Sequence, residues 1–208
     1  MTRPRCPRCL RPVSHCLCAW LPDLPSRSRV LLLQHPDEAA HPLNTARLAA
    51  LGLRRATLWV GERFPELPAW LDAPGVRPLL LFPGEAAVDA AAWAATGEGA
   101  ETLLVVPDGT WRKARRLLRL NPALAALPRL ALAPAVPSRY RVRRARAPDA
   151  LATVEAVAAA LDALEPGGGF EALLAPFDVM VEGQIMAREA RAPTRRAARV
   201  DLPRARGR

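Results

Sequence analysis

Four short apolar runs punctuate the first half of this chain, at residues 29–34 (Arg-Val-Leu-Leu-Leu-Gln), 56–60, 79–82 and 102–106. Runs this short and this continuous suit strands buried on both faces rather than independent helices. Helix-like segments lie between or after them, and strands alternating with helices specify an α/β domain around a mostly parallel sheet flanked by helices. Asn44 or Thr45 caps a helix to about residue 51, ended by Gly52. Residues 65–78 carry four prolines and read as a loop with little regular structure, and 86–95 read as a helix. A helix over 111–120 follows the fourth strand and stops at Asn121-Pro122. From 127 to 144, short apolar pieces between prolines read as one strand and a long loop. Pro148-Asp149 opens a helix to about 164, with Asp149 near the positive end of its dipole. Gly167-Gly168-Gly169 breaks the chain before a last helix over 177–188.

In a parallel α/β sheet, ligands bind beyond the carboxyl ends of the strands. Asp108 falls at such a place, directly after the apolar stretch 103–106. The next acid is Asp149, and the forty residues between them, 109–148, hold eleven cations and no carboxylate. A lone acid facing arginines suggests acid/base chemistry on a polyanion. The formal charge of +10 agrees with a phosphate-rich partner, but Lys113 is the one lysine and Ala and Pro abound. Coding bias toward arginine explains part of that total, so clustering counts for more than net charge. At 208 residues, half of them hydrophobic, the chain supports one sizeable domain with a small appendage and is not globally disordered. No stretch approaches the roughly 20 apolar residues that span a bilayer, and the N-terminus lacks a secretory apolar run. A cytoplasmic protein is the expectation.

All four cysteines lie within the first eighteen residues, as Cys6, Cys9, Cys16 and Cys18 in C-x2-C-x6-C-x-C. Tight pairs at both ends of a short loop let four thiolates converge on Zn²⁺, and a closed set of sulfurs makes the site structural. Unrelated thiols or disulfides are the alternative, and His15 is a substitute ligand. Arg3, Arg5, Arg8 and Arg11 decorate this knuckle. The expected organisation is a zinc knuckle over 1–25, a catalytic domain over 26–190 and a basic, disordered tail over 191–208, which is either solvated or in contact with RNA.

Within Asp108-Gly109-Thr110-Trp111, Gly109 permits a turn that a side chain obstructs. Thr110 can donate to the carboxylate or cap the next helix, and Trp111 offers a flat face for a base or cofactor ring. The plainer alternative has Asp108 and Thr110 capping a helix while Trp111 fills the core. His35 suits loop packing better than catalysis, and Trp20, Trp59, Trp70 and Trp93 suit core or loop packing.

D-x-T-W followed by Arg112-Lys113-Ala114 resembles the motif of the DTW-domain proteins. Further matches follow in family order: the cysteine knuckle, His35-Pro36 with Glu38, Asn44-Thr45, the run from Tyr140 through Arg141, Arg143 and Arg144, then Thr153-Val154-Glu155-Ala156, and Phe177 with Gln184. The resemblance covers about residues 3–188; Ala152 departs from it, where a Ser or another small polar residue is expected before Thr153. It implies a tRNA-uridine aminocarboxypropyltransferase related to the knotted SPOUT RNA methyltransferases, with a SPOUT-like fold and a C-terminal trefoil knot. S-adenosylmethionine would donate its 3-amino-3-carboxypropyl group to uridine N3, the variable loop of tRNA being the site in bacterial relatives. On that resemblance Asp108 handles the N3 proton, with Thr110 and Trp111 beside it. The cofactor would touch loops holding Pro107 and Gly109, Leu132 and Tyr140, and Thr153, with Thr45 on the other side. Arg112, Arg115, Arg116, Arg141, Arg143 and Arg144 would grip tRNA phosphates. No obligatory protein partner is implied. The competing functions are a zinc-knuckle RNA-binding protein without activity and a SPOUT-type RNA methyltransferase; an acid beside Thr110 and Trp111 favours the transferase, since phosphate binding needs no acid there.

Overall fold

A computed structural model describes residues 4–84, 86–97, 99–132, 138–141 and 151–197. After an N-terminal cysteine turn the elements run β1 (Arg29–Gln34), α1 (Pro36–Ala39), α2 (Ala46–Gly52), β2 (Ala56–Val60), α3 (Leu67–Leu71), β3 (Val76–Leu81), β4 (Ala87–Val88) and α4 (Ala90–Ala95). They continue with β5 (Glu101–Asp108), α5 (Trp111–Leu120), β6 (Arg129–Leu130), α6 (Thr153–Leu164) and α7 (Ala175–Ala197). The six strands form one sheet in the order β2-β1-β5-β3-β6-β4, and every pairing is parallel. β5 inserts between β1 and β3, so its carboxyl end lies where the strand order reverses, the usual place for a ligand crevice.

The continuous apolar runs follow from two cores, one on each face of the sheet. Val30 and Leu32 of β1 and Leu104 and Val106 of β5 pack with Leu48, Val154, Val157, Leu161 and Phe177, under α2, α6 and α7. Their alternates Leu31, Leu33, Leu103 and Val105 pack with Phe64, Leu67, Leu71 and Leu117, under α3 and α5. A strand covered on both sides needs apolar residues at every position. Each of these fully buried leucines contributes about 1.5–3 kcal/mol of transfer free energy. The same alternation puts Gln34 and Asp108, the last residues of β1 and β5, on the α2–α6 face.

Several expectations need correction. Residues 65–78 are not an unstructured loop: α3 forms with Pro68 in its first turn, where a missing N–H is tolerated. β3 then starts at Val76 and runs through Pro78. β6 pairs with β3 only from Leu80 onward, so β3 has an open edge at Pro78, where proline is tolerated. The expected helix over 86–95 starts later, because Asp89 accepts a hydrogen bond from Ala92 N at 2.8 Å and sets the N-cap after the short β4. α6 begins at Thr153; Asp149 lies outside the described residues, and the first-turn acid is Glu155. α7 is longer than 177–188 and continues to Ala197, into the segment expected as tail; Ala and Arg are strong helix formers. Residues 198–208 lie outside the described residues. So does much of the chain between β6 and α6 on which a knot would draw, residues 133–137 and 142–150. Among the described residues no helix is long and apolar enough to cross a membrane.

The tryptophans divide. Trp59 meets Trp70 edge-on at 4.9 Å, Arg29 lies 4.6 Å over Trp70, and Trp93 donates to Thr102 Oγ1 under the Arg77 guanidinium. These three pack as expected. Trp20 does not: it ends a 3-10 turn at the surface, 47% exposed.

Candidate functional site

Asp108 is buried, 7% exposed, and its carboxylate is held from two directions. The sheet register sets Gln34 beside it, and Gln34 Nε2 donates to Oδ2 at 2.8 Å. The Thr153 hydroxyl, at the first residue of α6, donates to Oδ1. Behind Gln34 stands Asn44. The two amides exchange hydrogen bonds of 3.0 and 3.1 Å, and Asn44 Oδ1 also accepts from Arg47 N. Asn44 thus caps α2, whereas Thr45 makes no capping hydrogen bond and is buried beside it. Three segments far apart in sequence meet at one acid.

The turn after Asp108 requires glycine. Gly109 has φ of 151°, and a Cβ there would lie 2.9 Å from Lys113 Cβ. Thr110 then caps α5, its hydroxyl accepting from Lys113 N at 3.4 Å. The hydrogen bond to the carboxylate that Thr110 could have made comes from Thr153 instead. Trp111 starts α5 with its indole 51% exposed and edge-on to Phe82 at 5.7 Å. It does not fill the core, which removes the plainer alternative for this residue.

Three acids, two from α1 and one from the loop after β2, surround the base of α5. Lys113 Nζ donates to Glu38 at 2.8 Å and lies 3.3 Å from Asp37, and Glu38 chiefly raises the ammonium's pKa. Arg116 makes two hydrogen bonds to Glu62, 2.7 and 3.0 Å, and with His35 holds that carboxyl below its ordinary value. His35 Nδ1 accepts from Asp37 N at 3.3 Å, which leaves Nε2 as the donor to Glu62 at 2.8 Å. With both ring nitrogens engaged, His35 is a joint between loops. Arg112 and Arg115, in contrast, are exposed and form no ion pair with a described residue.

The remaining expected site residues are spread more widely. Pro107 belongs to β5 itself, paired with Leu33. Leu132 packs against the α6–α7 core just after β6. Tyr140 is buried against Phe177 at 5.2 Å, so its ring serves packing. Its segment is clamped by Glu155, which accepts from Ser138 Oγ, Arg139 N and Ala152 N, each at 2.7 Å. Arg141 is ion-paired with Glu182, while Arg143 and Arg144 lie outside the described residues. In the sequence Gln34 reads only as the end of a strand and Glu155 only as part of the 153–156 match, and neither is assigned to the site. The available signal was a polar residue ending an apolar strand and an acid in the apolar first turn of a buried helix.

The four cysteine sulfurs all lie within 4.8 Å of one another, with Cys6–Cys18 at 3.7 Å and Cys9–Cys16 at 3.8 Å. Disulfide sulfurs stand about 2.05 Å apart, whereas tetrahedral thiolates at about 2.3 Å from a zinc ion have edges of about 3.8 Å. The donor set therefore fits a metal and leaves no open position. Backbone N–H groups of Cys9 and Arg8 lower the Cys6 thiol to about 6, while burial and the neighbouring thiols push Cys18 up to about 12. Without a cation Cys6 and Cys18 ionise far apart in pH. His15 is exposed, bonds Ser14 through Nδ1, and stands outside the cluster. Arg11 docks the knuckle on the body through Pro42 O at 2.6 Å and Met180 Sδ at 3.1 Å, and Leu17 enters the α2–α6 core.

A family model described as the DTW domain matches residues 3–185. The chain belongs to the DTW-domain family. It is 34% identical over 173 residues to tRNA-uridine aminocarboxypropyltransferase 2 of Drosophila melanogaster, covering 78% of this chain and 67% of the fly protein. The mouse protein of the same name is 31% identical over 191 residues, 88% of this chain and 64% of that protein. tRNA-uridine aminocarboxypropyltransferase A of Arabidopsis thaliana is 25% identical over 193 residues, 78% of this chain and 73% of that protein. The chain thus spans about two thirds of the length of the animal relatives. No solved structure matches it. The DTW match reaches from the cysteine knuckle into α7, so it takes in the knuckle, Asp108 and the α6 start together.

Proposed function

We propose that this DTW-domain protein transfers the 3-amino-3-carboxypropyl group of S-adenosylmethionine to N3 of a uridine in tRNA, releasing methylthioadenosine. The observation that carries this reading is a buried Asp108, hydrogen-bonded by Gln34 and Thr153 at the switch point of a parallel sheet, followed by an exposed Trp111 and by Arg112 and Arg115, which form no ion pair with a described residue. The names of the fly, mouse and plant relatives supply the group and the acceptor.

When bound, the donor supplies a carbon activated by its sulfonium, so the protein's task is placement and the N3 proton. Uridine N3 is a poor nucleophile until its N–H bond is polarised. Asp108 accepts that N–H, the nitrogen pair forms the new bond to the carbon next to sulfur, and the carbon–sulfur bond breaks as the proton passes to the carboxylate or solvent. Gln34 and Thr153 already donate to its oxygens, so Asp108 works by orienting N3–H as much as by basicity. Fixed orientation of this kind is a main source of catalysis when the leaving group is already good. Trp111 gives the base a flat surface. The loops at Pro107 and Gly109, at Leu132 and Tyr140, and at Thr153 would hold the donor, with Thr45 across from them. Arg112 and Arg115 are the leading tRNA contacts, joined by Arg143 and Arg144. Arg116 and Arg141 contribute if tRNA displaces Glu62 and Glu182. Cys6, Cys9, Cys16 and Cys18 would hold Zn²⁺ as a structural ion.

We place the protein in the cytoplasm, with a knuckle over 1–25, a SPOUT-like knotted catalytic domain over 26–190 and a basic tail over 191–208. The variable loop is the proposed target. Incubating unmodified tRNA with the protein and S-adenosylmethionine, then weighing nucleosides by mass spectrometry, tests the reading. Uridine gaining one aminocarboxypropyl group supports it. A gain of one methylene makes the protein a methyltransferase, and no change leaves only RNA binding.

A further inference from the structure

Gln34 is fully buried, yet it ends a strand whose inward neighbours are apolar, and packing alone gives no reason for an amide there. Its two N–H bonds are both used, one to Asp108 Oδ2 at 2.8 Å and one to Asn44 Oδ1 at 3.0 Å. Its carbonyl accepts from Asn44 Nδ2 at 3.1 Å. If the amide rotated by half a turn, that carbonyl would face the Asp108 carboxylate, oxygen against oxygen. Asn44 opposes the rotation because its own carbonyl is fixed by Arg47 N in the first turn of α2.

We infer that Gln34 is a positioning residue for Asp108, with Asn44 fixing which end of its amide meets the carboxylate. The relay runs from the α2 backbone through Asn44 and Gln34 to Oδ2, while Thr153 holds Oδ1 from α6. Both oxygens are thereby tied to rigid elements, and the carboxylate plane is set before any substrate arrives. The inference rests on the reading of Asp108 as the group that meets uridine N3–H. It adds that the two amides act on turnover through Asp108 and not through substrate binding.

The test compares Gln34→Met, Asn44→Ala, Asp108→Asn and the Gln34→Met/Asp108→Asn double variant. Each is assayed with unmodified tRNA and S-adenosylmethionine, and donor affinity is measured by calorimetry. Misplacing a catalytic group by about 1 Å is worth roughly 10²-fold, so Gln34→Met should lower kcat by about 10- to 100-fold while KM and donor affinity stay within about twofold. Asn44→Ala should lose less, again in kcat. In the Asp108→Asn background, Gln34→Met should cost nothing further, because residues acting through one group are not additive. Ordinary kcat in both Gln34→Met and Asn44→Ala overturns the inference, as does an undiminished effect of Gln34→Met once Asp108 is gone. If Gln34→Met does not fold, the half-buried Asn44→Ala carries the same comparison. Full turnover by Asp108→Asn is a different result: it removes the underlying reading of Asp108 itself.

Discussion

The cations of α5 carry the same kind of charge and do different work. Lys113 and Arg116 meet Glu38 and Asp37, delivered by α1, and Glu62, delivered by the loop after β2. Arg112, Arg115 and Arg119 are instead exposed and have no ion pair with a described residue. In sequence these five cations form one basic block. The fold neutralises two of them to fasten the loops around Asp108 and leaves three for an outside partner. Net charge therefore overstates the helix's capacity for phosphate, and the positions that remain open define it.

Breaking this division at the open arginines should give the larger effect. Replacing both Arg112 and Arg115 with Glu should weaken tRNA binding by about 10- to 100-fold at moderate salt, and replacing them with Ala should lower the salt slope by up to about two, one per lost phosphate contact. Titrating tRNA at several salt concentrations reads both numbers; an unchanged slope would take these arginines out of the interface. Arg116→Ala should change that slope much less, since Glu62 already occupies the guanidinium.

The knuckle offers the next largest effect. The wild type should retain a bound metal through purification and Cys9→Ser should lose it, read by metal analysis. In the metal-free wild type, Cys6 near 6 is ionised at neutral pH while Cys18 near 12 is protonated. Metal binding must expel the Cys18 proton, so affinity should rise with pH above neutrality. A pH-independent affinity would contradict this thiolate set.

The paired cations of α5 should show the smallest effect. Lys113→Met removes a pair of modest exposure and should lower Tm by roughly 2–4 °C with little loss of tRNA affinity. Glu62 sharpens the sign. Its carboxyl is held low by Arg116 and His35, so its pairing stabilises the fold above the ordinary glutamate range and is lost as pH falls through the lowered value. Arg116→Ala should therefore cost stability at neutral pH and converge with wild type in acid, as parallel thermal melts would show.

Where burial alone decided the structure, the sequence was readable. β1 and α5 fall at the expected residues because two-sided burial and a Thr-capped amphipathic helix leave strong local patterns, and β2 falls at its apolar run although it is only half-buried at the sheet edge. The short α3 and β4 were missed because tertiary packing, not propensity, holds five- and two-residue elements. Asp108 was legible as the acid at the end of a strand. The resemblance places Thr153 at the same site. Its hydrogen bond to Asp108 and that of Gln34 were not legible, since these residues lie 45 and 74 positions away and only the start of α6 and the sheet register bring them to the carboxylate. The division of α5 was hidden for the same reason: nothing local to the helix says which cations will meet an acid.

Single-turnover transfer by Asp108→Asn, with donor binding measured alongside, tests the central claim most directly. Proton handling by a positioned side chain is worth roughly 10²–10⁴ in rate. The account predicts a loss of that size in transfer to tRNA uridine, with the donor bound as tightly as in wild type. Transfer at the wild-type rate, or a loss explained wholly by weaker donor binding, would contradict it.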